Sequence, residues 1–171
     1  MNQLERISYN LPVIKIISGG QTGADQGGLA AAKQLGFSTG GWMPKGFFTE
    51  RGFRPEFANR YAMRERPESE YAPRTEANVT NSDGTLIFGD VASIGSRNTK
   101  DLCEKHGKSY HIVPWGSGSP VPLDAVVEFR RWLIANNVRV LNIAGNRESV
   151  QAGIGDATKT FLVAALSNVE P

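Results

Sequence analysis

The chain has 171 residues, of which 40% are hydrophobic and 21% charged, a composition that excludes wholesale disorder, a collagen-like fibre and a disulfide scaffold. This length predicts one domain with a hydrophobic core of its own. The 19 basic and 17 acidic residues leave a net charge of only +2, so we expect no nucleic-acid partner.

Cysteine and histidine are scarce in the chain. Cys103 is the only cysteine, so an internal disulfide is excluded and the fold does not depend on an oxidising compartment. Together with two histidines it falls short of the roughly four ligands of a structural zinc site. No apolar run reaches the roughly 18 residues of a membrane span, and the first residues lack the apolar core of a signal peptide. We therefore expect a cytoplasmic protein without a membrane partner.

Short β-rich runs alternate with helical patterns along the chain. This alternation predicts an α/β fold, a Rossmann-like three-layer sandwich with a mainly parallel sheet. A helix with apolar residues at Leu29, Ala32 and Leu35 ends at Gly36, and Val126, Phe129 and Leu133 share one face of a later helix. The predicted strands cover 13–18, 37–42, 85–88, 109–113 and 138–144, and the later helices cover 96–107, 123–135 and 157–166.

Residues 43–82 form a long excursion after the second strand, with four prolines, four phenylalanines, two tyrosines and six arginines. The stretch far exceeds the usual connection of about 2–6 residues, and we predict no sheet strand in it. One interpretation is a flap that covers one face of the sheet. The other is a ligand-covering segment, which we favour because open α/β sheets bind ligands at the carboxyl ends of their strands. The ligand-covering interpretation predicts that Arg74, Thr75 and Asn78 face that edge of the sheet.

The most specific motif is the turn Ser-Gly-Gly-Gln-Thr-Gly-Ala-Asp at 18–25, between the first strand and the first helix. Glycines allow close approach of a ligand, and a helix N-terminus offers free N–H groups and a positive dipole. The spacing fits neither the dinucleotide fingerprint nor a Walker A loop. A tight turn with Thr22 or Asp25 as helix cap is the structural alternative. We predict an anion cradle with the binding residues Gly19, Gly20, Gln21, Thr22, Gly23 and Asp25.

Two further turns place glycine and hydroxyl residues at a predicted helix start. Residues 95–99 follow the third strand, and residues 145–149 follow the fifth. Because the carboxyl ends of parallel strands meet at one edge, the three turns converge on a crevice that suits a phosphate-bearing or oxyanionic ligand. The candidate binding residues of these turns are Ser96, Arg97, Thr99, Gly145, Arg147 and Ser149.

Catalytic groups are not evident in the sequence. His106 and His111 fall at a helix end and in a strand, where structural roles are common, and Cys103 lies well inside a helix. No Ser-His-Asp order or zinc signature is present. We therefore assign no catalytic residue and no metal ligand, and we expect a binding protein rather than an enzyme.

Five segments resemble the putative molybdenum carrier family, in the same order along about residues 13–166. They are Ser-Gly-Gly-Gln-Thr-Gly-Ala-Asp at 18–25, Gly-Gly-Trp-Met-Pro-Lys-Gly at 40–46, Arg-Thr-Glu-Ala-Asn-Val at 74–79, Ser-Asp-Gly-Thr-Leu-Ile-Phe at 82–88 and Leu-Asn-Ile-Ala-Gly-Asn-Arg-Glu-Ser at 141–149. The chain departs from the family at Met43, Ser96 and Asn146, where cysteine, threonine and proline are common. The family is similar to a circularly permuted branch of the Rossmann-like SLOG superfamily, which implies that residues 139–169 replace the unit that opens unpermuted members.

The resemblance implies a non-catalytic carrier of the molybdenum cofactor (molybdopterin), a pterin that bears a phosphate monoester and an oxo-metal dithiolene. Arg74 or Arg97 would hold the phosphate or the oxo-anion, and molybdoenzymes would receive the cargo. Molybdate is an alternative ligand. The wider superfamily also implies a homo-oligomer, either a dimer or a tetramer.

Two other functions are compatible with the sequence. The superfamily includes phosphoribohydrolases, which implies a nucleotide-binding sensor or an enzyme that cleaves nucleoside monophosphates. Those hydrolases place an acid after a Gly-Gly-x-Gly-Thr turn, whereas Asp101 stands in a different register after the 95–99 turn, which argues against hydrolysis. The third alternative is a Rossmann-like oligomerisation or interaction module.

Overall fold

A six-stranded sheet forms the centre of the computed structural model, which describes residues 10–167. The strands are β1 (Lys15–Ser18), β2 (Ser38–Met43), a separate hairpin of β3 (Phe48–Thr49) and β4 (Gly52–Phe53), β5 (Met63–Glu65), β6 (Gly84–Gly89), β7 (Ser109–Pro114) and β8 (Val140–Gly145). The sheet has the order β5-β2-β1-β8-β6-β7, and every neighbouring pair in it is parallel. All six carboxyl ends therefore meet at one edge.

Helices cover both faces of this sheet. They are α1 (Ala24–Leu35), α2 (Phe57–Arg60), α3 (Tyr71–Thr80), α4 (Ile94–Lys105), α5 (Val126–Ala135) and α6 (Ile154–Leu166). Helices α1, α5 and α6 pack together on one face, while α3 and α4 pack against each other on the opposite face. The predicted Rossmann-like three-layer sandwich is thus confirmed.

No helix within residues 10–167 is long and apolar enough to cross a membrane. Two predictions fall outside the described range. They are the absence of a signal peptide, which concerned residues 1–9, and the end of the permuted unit at residues 168–169.

The larger part of the core lies under α1, α5 and α6. Phe161 of α6 is fully buried between Phe88 and Phe129, with ring centroids 5.6 Å and 5.5 Å away. Helix α5 buries Val126, Phe129 and Leu133, the three residues predicted to share one face. The 3.6-residue period of this helix therefore identified its core side correctly.

The predicted elements agree with the observed ones to within about three residues, except in the excursion. The prediction that residues 43–82 contain no sheet strand is wrong, because β5 pairs with β2 and forms an edge of the sheet. Only Met63 of its three residues is buried. A strand this short, with two exposed charged residues, shows too little alternation for a pattern to be recognised.

Helix α3 is the second element of the excursion that the sequence pattern did not indicate. Its first turn contains Pro73, which reads as a helix breaker. The first N–H groups of a helix have no intrahelical acceptor, however, so proline is tolerated there. Helix α3 carries Arg74, Thr75 and Asn78 along one side of the sheet.

Candidate functional site

A cavity of about 760 Å³ opens at the carboxyl ends of β1 and β8, between α3 and α4. Strand β8 lies between β1, which leads into α1 on one face, and β6, which leads into α4 on the other. Ligands of open α/β sheets bind at such a switch point. Nine predicted binding residues line the cavity: Gly19, Gln21, Asp25, Arg74, Thr75, Asn78, Thr99, Gly145 and Arg147. The other six do not line it: Gly20, Thr22, Gly23, Ser96, Arg97 and Ser149.

A buried ion pair joins the glycine turn to α3. Arg74 Nη1 lies 3.0 Å from Asp25 Oδ2, and the two side chains are only 12% and 7% exposed. Burial raises the pKa of the Asp25 carboxyl group, and the opposing charge and hydrogen bonds of Arg74 only partly offset that shift. A Cβ at position 19 would lie 1.3 Å from Arg74 Nη1, so a larger residue there would displace the guanidinium group. The pair holds Arg74 in the cavity wall.

Backbone N–H groups of the glycine turn bind acceptors of the chain itself. Gly20 N donates to Ser18 Oγ at 3.2 Å. Gln21 N donates to Asp25 Oδ2 at 3.2 Å, and Thr22 N donates to Gln21 Oε1 at 3.0 Å. These three donors are therefore not available to the external anion that we expected at residues 20–23. The turn contributes a wall of the cavity instead.

Glu50, at the tip of the β3–β4 hairpin, contacts two predicted binding residues, Thr22 and Ser149. Its carboxylate accepts hydrogen bonds from the Thr22 hydroxyl, the Ser149 hydroxyl and, at 3.2 Å, Ser149 N. Partial burial alone raises the pKa of Glu50, but these hydrogen bonds and the charge of Arg147 outweigh it, so the pKa is lowered. Glu50 thus fastens the hairpin to two turns at the sheet edge.

We predict that this attachment makes stability depend on pH. Because the pKa of Glu50 is lower in the folded chain, its ionised form stabilises the fold above the unfolded pKa, and this contribution is lost as the pH falls through the folded value. Glu50→Gln should remove that part of the pH dependence of the free energy of unfolding, measured in urea from about pH 7 to about pH 3. The control Glu56→Gln changes an exposed carboxylate nearby and should keep the wild-type profile. A wild-type profile in Glu50→Gln would contradict the attachment.

The first turn of α4 presents free backbone donors to the cavity. Ser93 is the N-cap and accepts a hydrogen bond from Ser96 N at 3.2 Å, while its hydroxyl also contacts that of Ser96 at 3.0 Å. Ile94 and Gly95 line the cavity, and their N–H groups donate to no acceptor within residues 10–167. Ser96 therefore helps to form the helix start, and the two N–H groups before it remain open to a ligand.

The other predicted residues of α3 and α4 differ in what they can offer. Arg97 is exposed and does not line the cavity. Thr75 and Thr99 line it, but each hydroxyl donates to a carbonyl of the preceding helical turn, at 3.1 Å and 3.0 Å. Both polar atoms of the Asn78 amide bind the Trp42 backbone, at 2.9 Å and 3.0 Å. Asn78 therefore fastens α3 to β2, with both polar atoms of its amide engaged.

Two arginines converge on one aromatic ring at the edge of the cavity. The guanidinium carbons of Arg74 and Arg147 lie 5.3 Å and 5.0 Å from the centre of the Tyr71 ring. An aromatic face attracts cations, so the ring holds two like charges close together. Strands β6 and β8 lie close together at Gly145, next to Arg147. A Cβ added to Gly145 would lie only 2.1 Å from Phe88 O.

Tyr71 and Asn142 are among the lining residues that were absent from the predicted site. Tyr71 is the first residue of α3, which the sequence pattern did not reveal. Asn142 is only 2% exposed and interrupts the apolar run of β8. A polar residue within a buried parallel strand could have indicated a site residue from the sequence alone. Asn142 Nδ2 donates to Thr85 Oγ1 at 3.2 Å, while Asn142 Oδ1 has no hydrogen-bond partner within residues 10–167.

The departures from the resembled family occupy structural positions. Met43 is fully buried in a small second cluster with Leu29 and Phe57. Asn146 Oδ1 accepts a hydrogen bond from Asp90 N at 2.8 Å, which ties the third turn to the end of β6. Met43 does not line the cavity, whereas Asn146 does.

The histidines and the cysteine lie away from this cavity. His106 Nε2 contacts Glu76 Oε1 at 2.6 Å on the surface, and the His111 ring lies 5.5 Å from that of Phe129. Burial lowers the pKa of His111 and raises the pKa of the Cys103 thiol. Within residues 10–167, no group of three or more His, Cys, Asp or Glu residues is placed to hold a metal ion.

Comparisons with known proteins agree with this fold. The model of the Circularly permutated YpsA SLOG family matches residues 16–166. The crystal structure of the "putative molybdenum carrier protein" from Syntrophus aciditrophicus SB, at 1.45 Å resolution, is 37% identical in sequence with a TM-score of 0.84. The alignment covers 92% of this chain and 97% of that one. No curated protein matches the chain.

Proposed function

The chain belongs to the circularly permuted YpsA SLOG family, and on that basis we propose that it binds a phosphate-bearing or oxyanionic ligand in this cavity as a carrier of the molybdenum cofactor. The observation that carries the proposal is the convergence of Arg74, Arg147 and the free N–H groups of Ile94 and Gly95 on one cavity. The name of the 37% identical protein from S. aciditrophicus supports the choice of cargo.

The donors around the cavity suit a phosphate monoester. Guanidinium groups match phosphate oxygens with paired N–H donors, and helix N-termini bind anions through backbone N–H groups and the helix dipole. Arg74 is partly neutralised by Asp25, whereas Arg147 is exposed and its guanidinium group lies over the Tyr71 ring. Arg147 and the start of α4 therefore supply the principal attraction for an incoming anion.

The cavity also has room and polar atoms for the rest of the cofactor. Its volume of about 760 Å³ falls within the range of about 300–1,000 Å³ for small-molecule sites. Gln21 Nε2 and Asn142 Oδ1 are buried polar atoms without a hydrogen-bond partner in the described part of the chain, and both residues line it. The molybdenum would arrive as cargo on the sulfurs of the pterin, so the chain need not ligate it, and molybdoenzymes would be the recipients.

Anaerobic purification followed by mass spectrometry and metal analysis tests this function directly. We expect wild-type protein to retain a pterin and molybdenum. Arg147→Ala should weaken ligand binding by about 1.5–3 kcal/mol, because it removes a charged hydrogen bond. The variant should therefore retain at least about tenfold less ligand than the wild type. Arg147 is the better choice than Arg74, whose loss also affects folding.

Arg97→Ala is the matched control, since Arg97 is an exposed arginine that does not line the cavity. It should retain as much cargo as the wild type. Equal loss in both variants would point to general charge attraction, and unaltered retention in Arg147→Ala would refute its assignment. Wild-type protein that retains no pterin and binds neither phosphate nor molybdate would refute the proposed function.

A nucleotide-cleaving enzyme is the second candidate, because one solvent-exposed acid, Asp101, does line the cavity. Glu148 does not serve this role, since its carboxylate accepts hydrogen bonds from Gly153 N and Gly155 N and caps α6. We expect no release of ribose 5-phosphate from adenosine or cytidine monophosphate. Turnover of about one per second that Asp101→Asn abolishes would establish the enzyme instead.

A further inference from the structure

Unpaired buried polar atoms concentrate around this one cavity. Within residues 10–167, five buried side-chain atoms lack a hydrogen-bond partner, and three of them belong to lining residues. These three are Gln21 Nε2, Arg74 Nε and Asn142 Oδ1, whereas Arg54 Nε and Thr158 Oγ1 lie elsewhere. Buried polar groups are nearly always paired in folded proteins, so the three atoms indicate a partner that the chain itself does not supply.

Asn142 is the deepest of the three in the sheet. It is the third residue of β8, between Ile17 of β1 and Thr85 of β6, so it lies on the sheet and not on a loop. Its neighbours in sequence, Leu141 and Ile143, are fully buried apolar residues. A central parallel strand ordinarily has apolar residues throughout, and an amide oxygen left unpaired there is unfavourable. The Thr85 hydroxyl donates to the Cys103 side chain, so Thr85 Oγ1 accepts from Asn142 Nδ2 and the unpaired atom is the amide oxygen. The cavity therefore reaches from the strand ends down to an acceptor atom on the sheet.

Gln21 supplies a donor whose orientation is determined by its contacts. Its Oε1 accepts hydrogen bonds from Thr22 N at 3.0 Å and from Glu50 N at 2.9 Å. A flipped amide would direct its NH₂ group at two N–H donors, so the unpaired Nε2 is a true donor. The cavity thus presents an unpaired donor at the glycine turn and an unpaired acceptor on β8.

We propose that Asn142 Oδ1 accepts a hydrogen bond from the exocyclic amino group of a nitrogen heterocycle, so that the ligand is a phosphorylated, amino-bearing ring. The inference rests on the proposed function, because it places the ligand in the same cavity. The phosphate lies at Arg147 and the start of α4, and the ring extends along β8 between Thr75 on one wall and Thr99 and Leu102 on the other. Pterins and adenine nucleotides share this chemistry.

Ligand pairs that differ at the amino group test the proposal on wild-type protein. The first pair is adenosine monophosphate and purine riboside monophosphate, and the second is 6-hydroxymethylpterin phosphate and its deaminated lumazine counterpart. In the pair whose ring the protein binds, we expect the amino compound to bind about 10–100-fold more tightly by calorimetry. The pair that shows this preference identifies the source of the ring as nucleotide or pterin.

Three variants connect the preference to Asn142. Asn142→Leu removes the acceptor at similar volume, and should abolish the amino preference while leaving binding of inorganic phosphate and the thermal midpoint undiminished. Asn142→Asp keeps an oxygen acceptor and should retain the preference, and Asn142→Ala removes the acceptor if the leucine variant does not fold. A preference that persists in Asn142→Leu would overturn the assignment.

The remaining outcomes separate this inference from the function on which it rests. Equal affinities within both pairs, or heterocycles that bind no better than ribose 5-phosphate, would overturn the role of Asn142 while the anion site stands. If inorganic phosphate, ribose 5-phosphate and all four ring compounds fail to bind, the proposed function falls and this inference with it.

Discussion

Replacing Arg74 with alanine is expected to lower the free energy of unfolding by about 3–5 kcal/mol, the usual cost of removing one partner of a buried ion pair. The Asp25 carboxyl group, whose side chain is only 7% exposed, would then lack its cationic partner. The hydrogen bond from Gln21 N at 3.2 Å would remain, but it does not replace a full positive charge. Urea denaturation near neutral pH measures the effect.

The pH dependence of this variant identifies the unpaired charge as the cause. Burial already raises the pKa of Asp25 with Arg74 present, and loss of the cation should raise it further. A carboxyl group with a raised folded pKa binds its proton more tightly in the folded state, so the fold gains stability as the pH falls through that pKa toward the unfolded value. The stability difference between Arg74→Ala and the wild type should therefore shrink on acidification. A difference that stays constant would contradict the ion-pair explanation.

A second substitution provides the control for this prediction. Asp25→Asn in the Arg74→Ala background removes the isolated charge while keeping an amide oxygen that can accept from Gln21 N. This double variant should recover much of the lost stability, because replacing both partners avoids a buried unpaired charge. Recovery would show that the loss arises from charge and not from missing contacts of the Arg74 side chain with Tyr71.

The sheet was largely predictable from sequence because its strands are buried on both faces. Residues Leu86, Ile87 and Phe88 make a continuous apolar run, which is what a central parallel strand requires. Gly36 was equally informative, since it ends α1 in the left-handed conformation with φ of 79°. Such signals are local, and the local chain carries enough information to place the element.

Strand β5 and helix α3 were not predictable by the same means. Met63 is the only buried residue of β5, and the buried residues of α3 are Asn78 and Val79, so neither element shows an apolar face. Both are stabilised by contacts distant in sequence, such as the two hydrogen bonds between Asn78 and Trp42. Single-sequence periodicity does not report contacts of that kind.

The candidate site was likewise predictable only in part from the sequence. That the glycine turns meet at one sheet edge followed from parallel topology, and the cavity does lie at that edge. Which polar groups are already in use could not be predicted, because it depends on distant partners such as Glu50 at Ser149 and Asp25 at Arg74. The sequence therefore located the region of the cavity, and the structure distinguishes the groups that are free within it.

Phe161→Ala is expected to destabilise the protein by about 3–5 kcal/mol, the cost of removing a fully buried aromatic side chain and leaving a cavity. Phe161 packs against Phe88 and Phe129, which belong to β6 and α5, so its loss affects two layers of the fold. Phe53→Ala is the matched control, since Phe53 is 67% exposed and should change the free energy of unfolding by roughly 0.5 kcal/mol or less. Denaturation of both variants in urea measures the difference, and equal effects would contradict the central position of Phe161. Because Phe88 lies one residue before the end of β6, we also expect Phe161→Ala to weaken anion binding at that edge.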